Sequence, residues 1–163
     1  MSEREALLGY LDSQRRHVLG ILEGLSDDDL RRPVLPSGWS CVQLVNHLTF
    51  DDERFWFQGV VAADPAVIAA VEGAEADGWH LDADVPPSTI LAGYQQQIER
   101  SNQVLAQAEL DAPPAWWPGF FGEWRLDDTR EVILHVLVET SVHAGHLDAA
   151  RELIDGRTWL VLE

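Results

Sequence analysis

Near the end of the sequence, four side chains that could bind a metal ion recur at helical spacing: His135, Glu139, His143 and His146. At about 100° per residue, all four fall within one narrow stripe of a helix. Residues four apart lie one turn above each other, so Glu139 and His143 could reach the same ion. Imidazole and carboxylate groups suit zinc, nickel, iron or manganese, and the residue types alone do not choose among them. The stripe therefore predicts a divalent metal site.

This stripe is predicted to face the protein core, because apolar residues share its arc and polar residues occupy the opposite side. Burying a carboxylate and several imidazoles without partners would cost several kcal/mol. An inward cluster therefore predicts mutual hydrogen bonds, a wet cavity or a bound metal. The apolar residues on the arc are Val132, Val136, Val142, Ala150 and Leu153, and the polar residues opposite are Arg130, Thr140, Ser141, Asp148 and Arg151.

A third ligand is expected from another helix. His47 lies beside an apolar arc of the second predicted helix, and Asp51 follows one turn later on the same side. Three protein ligands leave positions open for water or substrate, which is typical of a catalytic metal site. Asp51 and His146 are the candidates for a catalytic acid or base, and Asp51 could instead orient His47. His135 and His146 are expected to line the site or to contact the ion.

Other chemistries leave less trace. The sequence contains no Gly-x-Ser-x-Gly motif, no phosphate-binding glycine loop, no dinucleotide fingerprint and no Cys-x-x-Cys pair. Cys41 is the only cysteine, which excludes a cysteine-based zinc cage, and it is expected to pack as a small apolar residue. His17 is predicted on the polar side of the first helix and His80 in an exposed loop. The aromatic stretch 116–124 is expected to close the core between helices and could also wall a pocket.

Four long helical patterns must position these residues. Apolar side chains recur at helical spacing in each, and capping-box patterns mark the starts of the second and fourth. Ser88 is expected to cap the third, after a long connection with a short helix at 66–71. No strand pattern is convincing, so the expected fold is all-α, an antiparallel four-helix bundle forming one domain over residues 1–163. The predicted helices cover residues 3–24, 41–62, 89–108 and 129–155.

The charge of the chain argues against several classes of partner. Its 28 acidic and 11 basic residues give a formal net charge of −17. Phosphate backbones and anionic lipids attract positive surfaces, so neither a nucleic acid nor a membrane is expected as a partner. No apolar run approaches the roughly 18 residues of a membrane span, and the N-terminus lacks the apolar centre of a signal peptide. We therefore expect a cytoplasmic protein that DNA and anionic vesicles do not retain at moderate salt.

Two blocks of the sequence resemble a known family. "SGWSCVQLVNHLTFDDERFWF" and "ETSVHAGHLDAARELIDG" are similar to motifs of the DinB-like superfamily of metal-binding four-helix bundles, in the branch near the mycothiol-dependent enzymes. The resemblance spans nearly the whole chain. It implies an up-down-down-up bundle with a long crossover at 63–87 between helices 2 and 3. It also implies a metal held by His47, Glu139 and His143, with His146 in the pocket where relatives carry glutamine.

The resemblance further implies a metal-dependent thiol S-transferase or isomerase-like enzyme that acts in detoxification. In such an enzyme the metal, zinc above all, keeps a low-molecular-weight thiol as thiolate, and the thiolate attacks a small electrophile. Mycothiol is the expected thiol, and Arg54 and Arg125 could hold anionic parts of either substrate. Relatives often pair, so a homodimer is plausible. Two alternatives remain open: a hydrolase that uses ion-bound water, and a non-catalytic metal-binding protein.

Overall fold

The computed structural model describes residues 1–73 and 77–159 of the chain. All regular secondary structure in these two ranges is helical, which confirms the predicted all-α class. A π-helical segment continues the third helix without a break. The elements are α1 (Glu3–Leu22), α2 (Asp27–Arg31), α3 (Cys41–His47), the π-helical segment (Leu48–Val61), α4 (Pro65–Glu72), α5 (Pro87–Gln107), a 3-10 turn (Gly119–Phe121) and α6 (Thr129–Asp155).

The four long helical patterns agree closely with the observed elements, whereas α2 and the 3-10 turn were not predicted. Ser26 caps α2 by accepting a hydrogen bond from the Asp29 backbone amide. The prediction that Ser88 caps the third long helix is wrong, because α5 begins at Pro87 with Pro86 as its N-cap residue. Proline suits the first helical position, since its missing N–H would have no partner there.

The long helices pack around two apolar clusters. α1 packs on α6, and the π-helical segment packs on both α5 and α6. One cluster surrounds α3 and takes Ala144 and Leu147 from α6. The other surrounds the π-helical segment and takes Val132 and Val136 from α6. The stretch of α6 between these two sets carries Glu139 and His143, so the clusters flank the predicted ligands.

A buried ion pair ties the π-helical segment to α1. Arg15 and Glu53 are 2% and 1% exposed. The guanidinium donates from Nε and Nη2 to the two carboxylate oxygens of Glu53, each at 2.7 Å. Arg15 Nη1 also donates to Asn102 Oδ1 of α5 at 2.8 Å. This bidentate geometry fixes the rotation of the π-helical segment.

The helix α6 is rotated relative to the phase predicted from the sequence. Val142 and Leu153 were predicted to face inward but are 50% and 59% exposed, whereas Thr140 and Arg151 were predicted to face outward but are 0% and 1% exposed. The buried polar groups are satisfied, because the Thr140 hydroxyl and the Arg151 guanidinium donate hydrogen bonds within the fold. The stripe of metal-capable residues therefore lies at the edge of the buried face and not at its centre.

No single helix among the described residues is both long and apolar enough to cross a membrane. The segments Cys41–Val61 and Pro65–Glu72 meet that test only when taken together, and they are bent by 117° where they join. Such a pair is weak evidence for a span, because buried core helices meet the same test of length and composition.

Candidate metal centre

Three helical elements bring three ligand-type side chains together. One ligand atom from each of His47, Asp52 and His143 lies within 4.8 Å of the other two. His47 is the last residue of α3, Asp52 belongs to the π-helical segment, and His143 lies on α6. The two imidazole centroids are 5.0 Å apart. These three residues form the centre of a candidate metal site.

Asp52 was not predicted from the sequence as part of the site. This side chain is 4% exposed, and its Oδ2 atom has no hydrogen-bond partner. His47 Nε2 lies 3.9 Å from that oxygen. Burial raises the pKa of Asp52 to about 7, and the opposing charge of His47 offsets only part of this rise. This buried carboxylate oxygen faces an imidazole beyond hydrogen-bond distance and has no hydrogen-bond partner, so the residues present fit a divalent metal ion.

The π-helical geometry explains why Asp52 escaped an α-helical pattern. In an α-helix, His47 would share its face with Asp51 and not with Asp52. The wider turn of a π-helix, with hydrogen bonds between residues five apart, brings the residue five positions later towards the same face. One such bond joins the Ala62 amide to the Phe57 carbonyl oxygen at 3.1 Å. π-Helical turns are frequent at functional sites, in agreement with this placement.

His47 is held on two sides. Its Nδ1 atom lies 2.7 Å from Asp51 Oδ2, and its ring stacks on Trp79 at a centroid distance of 4.4 Å and an interplanar angle of 18°. Burial alone would lower the pKa of His47, but the hydrogen bond to Asp51 and the neighbouring carboxylate charges outweigh it and raise the pKa. With Nδ1 engaged, Nε2 is the nitrogen that remains for a metal on the side of Asp52.

His143 is kept neutral by its surroundings. Burial, with the nearby His47 and His146, lowers the pKa of His143 to about 4. A neutral imidazole has a lone pair available for a metal ion at neutral pH. Its Nδ1 atom is 3.4 Å from Nδ1 of the exposed His146, and its Nε2 atom is 3.8 Å from Glu139 Oε2.

Glu139, the carboxylate ligand expected from the sequence, lies at the open edge of this group. Its side chain is 39% exposed, and it is not one of the three residues whose ligand atoms converge within 4.8 Å. Its charge nevertheless acts on both His47 and Asp52. Ligation by Glu139 stays a prediction. The two catalytic candidates, Asp51 and His146, each lie against Nδ1 of one imidazole of the group.

His135 belongs to an aromatic cluster and not to the three converging residues. Its ring lies 4.5 Å from that of Trp56 and 5.7 Å from that of Trp124. Burial lowers the pKa of His135, which favours the neutral ring. Trp117 and Phe121 pack against the core, whereas Trp124 is 44% exposed. The aromatic stretch thus closes the core and also presents ring surface one helical turn from Glu139.

Three other candidate residues lie away from the centre. The prediction for His17 is wrong, because it is 4% exposed and its Nε2 lies 2.8 Å from Asp148 Oδ2. Cys41 is 1% exposed, and burial raises the pKa of its thiol to about 11, which confirms its packing as a small apolar residue. The His80 side chain is 72% exposed, as predicted.

The two arginines proposed to hold substrate anions lie over aromatic rings. The Arg54 guanidinium lies 5.8 Å from the Phe50 ring centroid, and that of Arg125 lies 5.5 Å from the Trp117 centroid. Arg54 also lines a cavity of about 670 Å³ together with Asp51. None of the three converging residues lines this cavity, but Asp51, which is bonded to His47, does, so the cavity lies beside the metal centre.

Comparison with known proteins agrees with the resemblance found in the sequence. The family model of the mycothiol-S-transferases matches residues 6–156, a range that includes every residue of the candidate centre. No curated protein and no solved structure matches the chain. The family lies within the DinB-like superfamily, near the mycothiol-dependent enzymes. Since the matched range covers nearly the whole sequence, the chain belongs to the mycothiol-S-transferase family.

Proposed function

We propose that this protein is a metal-dependent transferase that joins a low-molecular-weight thiol, mycothiol, to a small electrophile. The observation that carries the proposal is the convergence of His47, Asp52 and His143 around an unpartnered carboxylate oxygen. Buried carboxylates are normally hydrogen-bonded or paired, so this cluster is better suited to a cation than to structural packing. Membership of the mycothiol-S-transferase family supplies the class of thiol.

The proposed ligands are His47, Glu139 and His143, as predicted from the sequence, with Asp52 as an additional carboxylate. Zinc can expand beyond four ligands, and iron, manganese and nickel accept more, so these four side chains leave room for a substrate. A bound divalent cation would lower the pKa of the thiol and so favour its thiolate form. The resemblance to the DinB-like superfamily points to zinc, and imidazole and carboxylate donors suit zinc, nickel, iron and manganese.

The remaining polar residues are proposed to orient the ligands and to move the thiol proton. Asp51 accepts the Nδ1 proton of His47, which leaves Nε2 for the metal. His146 is the better candidate for proton transfer, because it is exposed whereas the Asp51 carboxylate is engaged with His47. The half-exposed side chain of Glu139 marks the edge through which substrates would enter.

An aromatic electrophile suits the surface beside this edge. His135, Trp56 and Trp124 form ring contacts one helical turn from Glu139, and Trp124 keeps 44% of its surface exposed. With a chlorinated aromatic substrate, the thiolate sulfur forms a bond to the ring carbon, and the carbon–chlorine bond breaks. Chloride leaves, and the thiol proton passes through His146 to water. Apolar packing against these rings would hold the electrophile.

An assay of mycothiol with a chlorinated aromatic electrophile tests the proposal. We expect conjugate formation that requires added zinc, is abolished by a chelator and returns when zinc is restored. Consumption of an ester or amide substrate without thiol would instead favour the hydrolase alternative. Tight zinc binding without turnover of any tested electrophile would favour a non-catalytic metal-binding protein.

A matched pair of substitutions on α6 tests the ligand assignment. Glu139→Gln keeps the size of the side chain but removes the charge that offsets the cation, so zinc affinity is expected to fall about 10-fold to 100-fold. His146→Gln should cost much less, because His146 touches the centre only through His143 at 3.4 Å. Zinc titration of both variants, with circular dichroism to verify helix content, measures the difference. An unchanged affinity in Glu139→Gln with a collapse in His146→Gln would reverse the assignment.

Three further expectations from the sequence, on helix direction, oligomeric state and location, remain part of this proposal. The up-down-down-up direction of the four long helices is supported by the packing of α1 on α6 and of the π-helical segment on α5. Pairing into a homodimer stays a prediction, which light scattering of the purified protein would test. A cytoplasmic location also stays a prediction.

A further inference from the structure

We propose that a short backbone segment, residues 77–80, positions His47 for metal binding, with Gly78 and Asn46 as its positioning residues. We call this segment the strap. None of its side chains belongs to the proposed ligand set, and the inference rests on the proposed metal centre. The strap follows α4 and crosses the end of α3, where His47 lies.

The strap is fixed to α3 by the residue that precedes His47. Asn46 is 9% exposed, and its Nδ2 atom donates hydrogen bonds to the carbonyl oxygens of Gly78 at 2.7 Å and of His80 at 3.2 Å. The strap is also fixed internally. Asp77 Oδ1 accepts from the backbone amides of Trp79 at 3.0 Å and of His80 at 3.2 Å. The path of its backbone is therefore strongly constrained.

Gly78 brings this backbone against the Asp51 carboxylate. A Cβ atom added at Gly78 would lie 2.3 Å from Asp51 Oδ2 and 2.9 Å from Oδ1. Such separations are shorter than any normal contact, so the carboxylate would have to move. The displaced oxygen, Oδ2, is the one that bonds His47 Nδ1 at 2.7 Å. A side chain at position 78 would therefore release His47.

The need for glycine comes from this contact and not from backbone conformation. The glycines with positive φ among the described residues are Gly24, Gly38, Gly122 and Gly156, and Gly78 is not one of them. Alanine could therefore adopt the backbone conformation of residue 78. What alanine could not do is leave the Asp51 carboxylate in place.

Trp79 completes the enclosure of His47. Its indole stacks on the imidazole at 4.4 Å, so the strap holds one ring face while Asp51 holds Nδ1. Asn46 thus holds the strap, the strap packs against Asp51, and Asp51 is bonded to His47, the residue next to Asn46. These contacts leave the Nε2 atom of His47 available on the side of Asp52. Outer-sphere partners that orient a ligand in this way typically raise metal affinity about 10-fold to 100-fold.

Zinc titration of Gly78→Ala in the full chain tests the proposal. We expect an affinity about 10-fold to 100-fold lower than that of the unmodified protein. Gly93→Ala is the matched control, because Gly93 lines the same cavity as Asp51 but a Cβ there meets nothing within 4 Å. The control should bind zinc as the unmodified protein does. Unchanged affinity in Gly78→Ala would overturn the proposal.

A double-mutant cycle separates positioning from a general structural effect. Asp51→Ala removes the carboxylate that Gly78 contacts, so adding Gly78→Ala to it should cause no further loss of zinc affinity. An equal loss in both backgrounds would mean that the strap acts through the fold as a whole, and would overturn the proposal. If Gly78→Ala fails to fold, Asn46→Ala replaces it and is expected to weaken zinc binding by releasing the strap.

The unmodified protein separates failure of this inference from failure of the proposed function. If it binds no zinc, the metal centre itself is absent and both ideas fall. If it binds zinc and conjugates the thiol while Gly78→Ala and Asn46→Ala bind zinc equally well, the proposed function stands and the strap has no positioning role.

Discussion

Replacing His47 by alanine is expected to lower zinc affinity by at least about 100-fold and to remove thiol transfer. Removing only an outer-sphere partner of a metal ligand lowers metal affinity by up to about 100-fold. Removing the ligand itself should lower the affinity by at least as much. The substitution also leaves the Asp52 carboxylate, 4% exposed, without its nearest cationic or imidazole partner at 3.9 Å. Elemental analysis after exhaustive dialysis and the rate of conjugate formation measure the two effects.

His80→Ala is the matched control for this experiment. His80 is the last residue of the strap, but only its backbone amide and carbonyl oxygen take part in the strap's hydrogen bonds, and alanine keeps both. Its side chain is 72% exposed. Loss of one imidazole at this position should leave zinc content and conjugation near those of the unmodified protein. The metal centre would have to be placed elsewhere if His47→Ala kept its zinc while His135→Ala, within the aromatic cluster, lost it.

The long helices were predictable because each repeats an apolar pattern over many turns. α6 spans Thr129–Asp155, the range predicted from the sequence. α2 has only five residues, too few for a periodic pattern, and its signal was the cap formed by Ser26. The start of α5 was misjudged because serine is a common cap, whereas proline at the first helical position is equally compatible with a helix start.

The rotation of α6 could not be predicted from its apolar residues alone. Thr140 and Arg151 are polar, and a pattern of hydrophobicity places them in solvent. Both are buried, because hydrogen bonds within the fold satisfy their polar atoms. Val142 is apolar yet 50% exposed. The Thr140 hydroxyl donates to the carbonyl oxygen of Val136 within α6 itself, so its burial needs no distant partner. Arg151 instead donates to the carbonyl oxygen of Ile21, which lies far away in the sequence and which a single-helix pattern does not contain.

The candidate centre was predictable only in part. The helical spacing on α6 indicated His143, and the apolar arc on the second long helix indicated His47, whereas ligation by Glu139 stays a prediction. Asp52 was missed because α-helical phase does not place it on the face of His47, whereas residues 48–61 are π-helical. Gly78 was missed because its role depends on a close approach to Asp51, which is distant in the sequence and which only the structure shows.

Replacing Asp52 by asparagine is expected to stabilise the metal-free protein while weakening metal binding. Burial raises the pKa of Asp52 from its ordinary value of 3.8 to about 7. Between about pH 4 and pH 7, the folded protein therefore keeps a proton on Asp52 that the unfolded chain has already released. Stability falls as the pH rises through this range, and the full penalty is present above about pH 7. Asparagine cannot ionise, so the variant escapes a penalty on the order of 4 kcal/mol at pH 8 and gains little near pH 4.

Zinc should reverse this order of stability. A ligand that binds only the folded state stabilises it in proportion to the logarithm of its concentration over its dissociation constant, so the tighter-binding unmodified protein gains more. Urea unfolding at pH 4.5 and pH 8, each with chelator and with zinc, measures the free energy of unfolding of both proteins under four conditions. A variant less stable than the unmodified protein at pH 8 in chelator would give Asp52 a structural role. Equal stabilisation of both proteins by zinc would remove Asp52 from the ligand set, because loss of a true ligand must weaken zinc binding and so reduce the stabilisation.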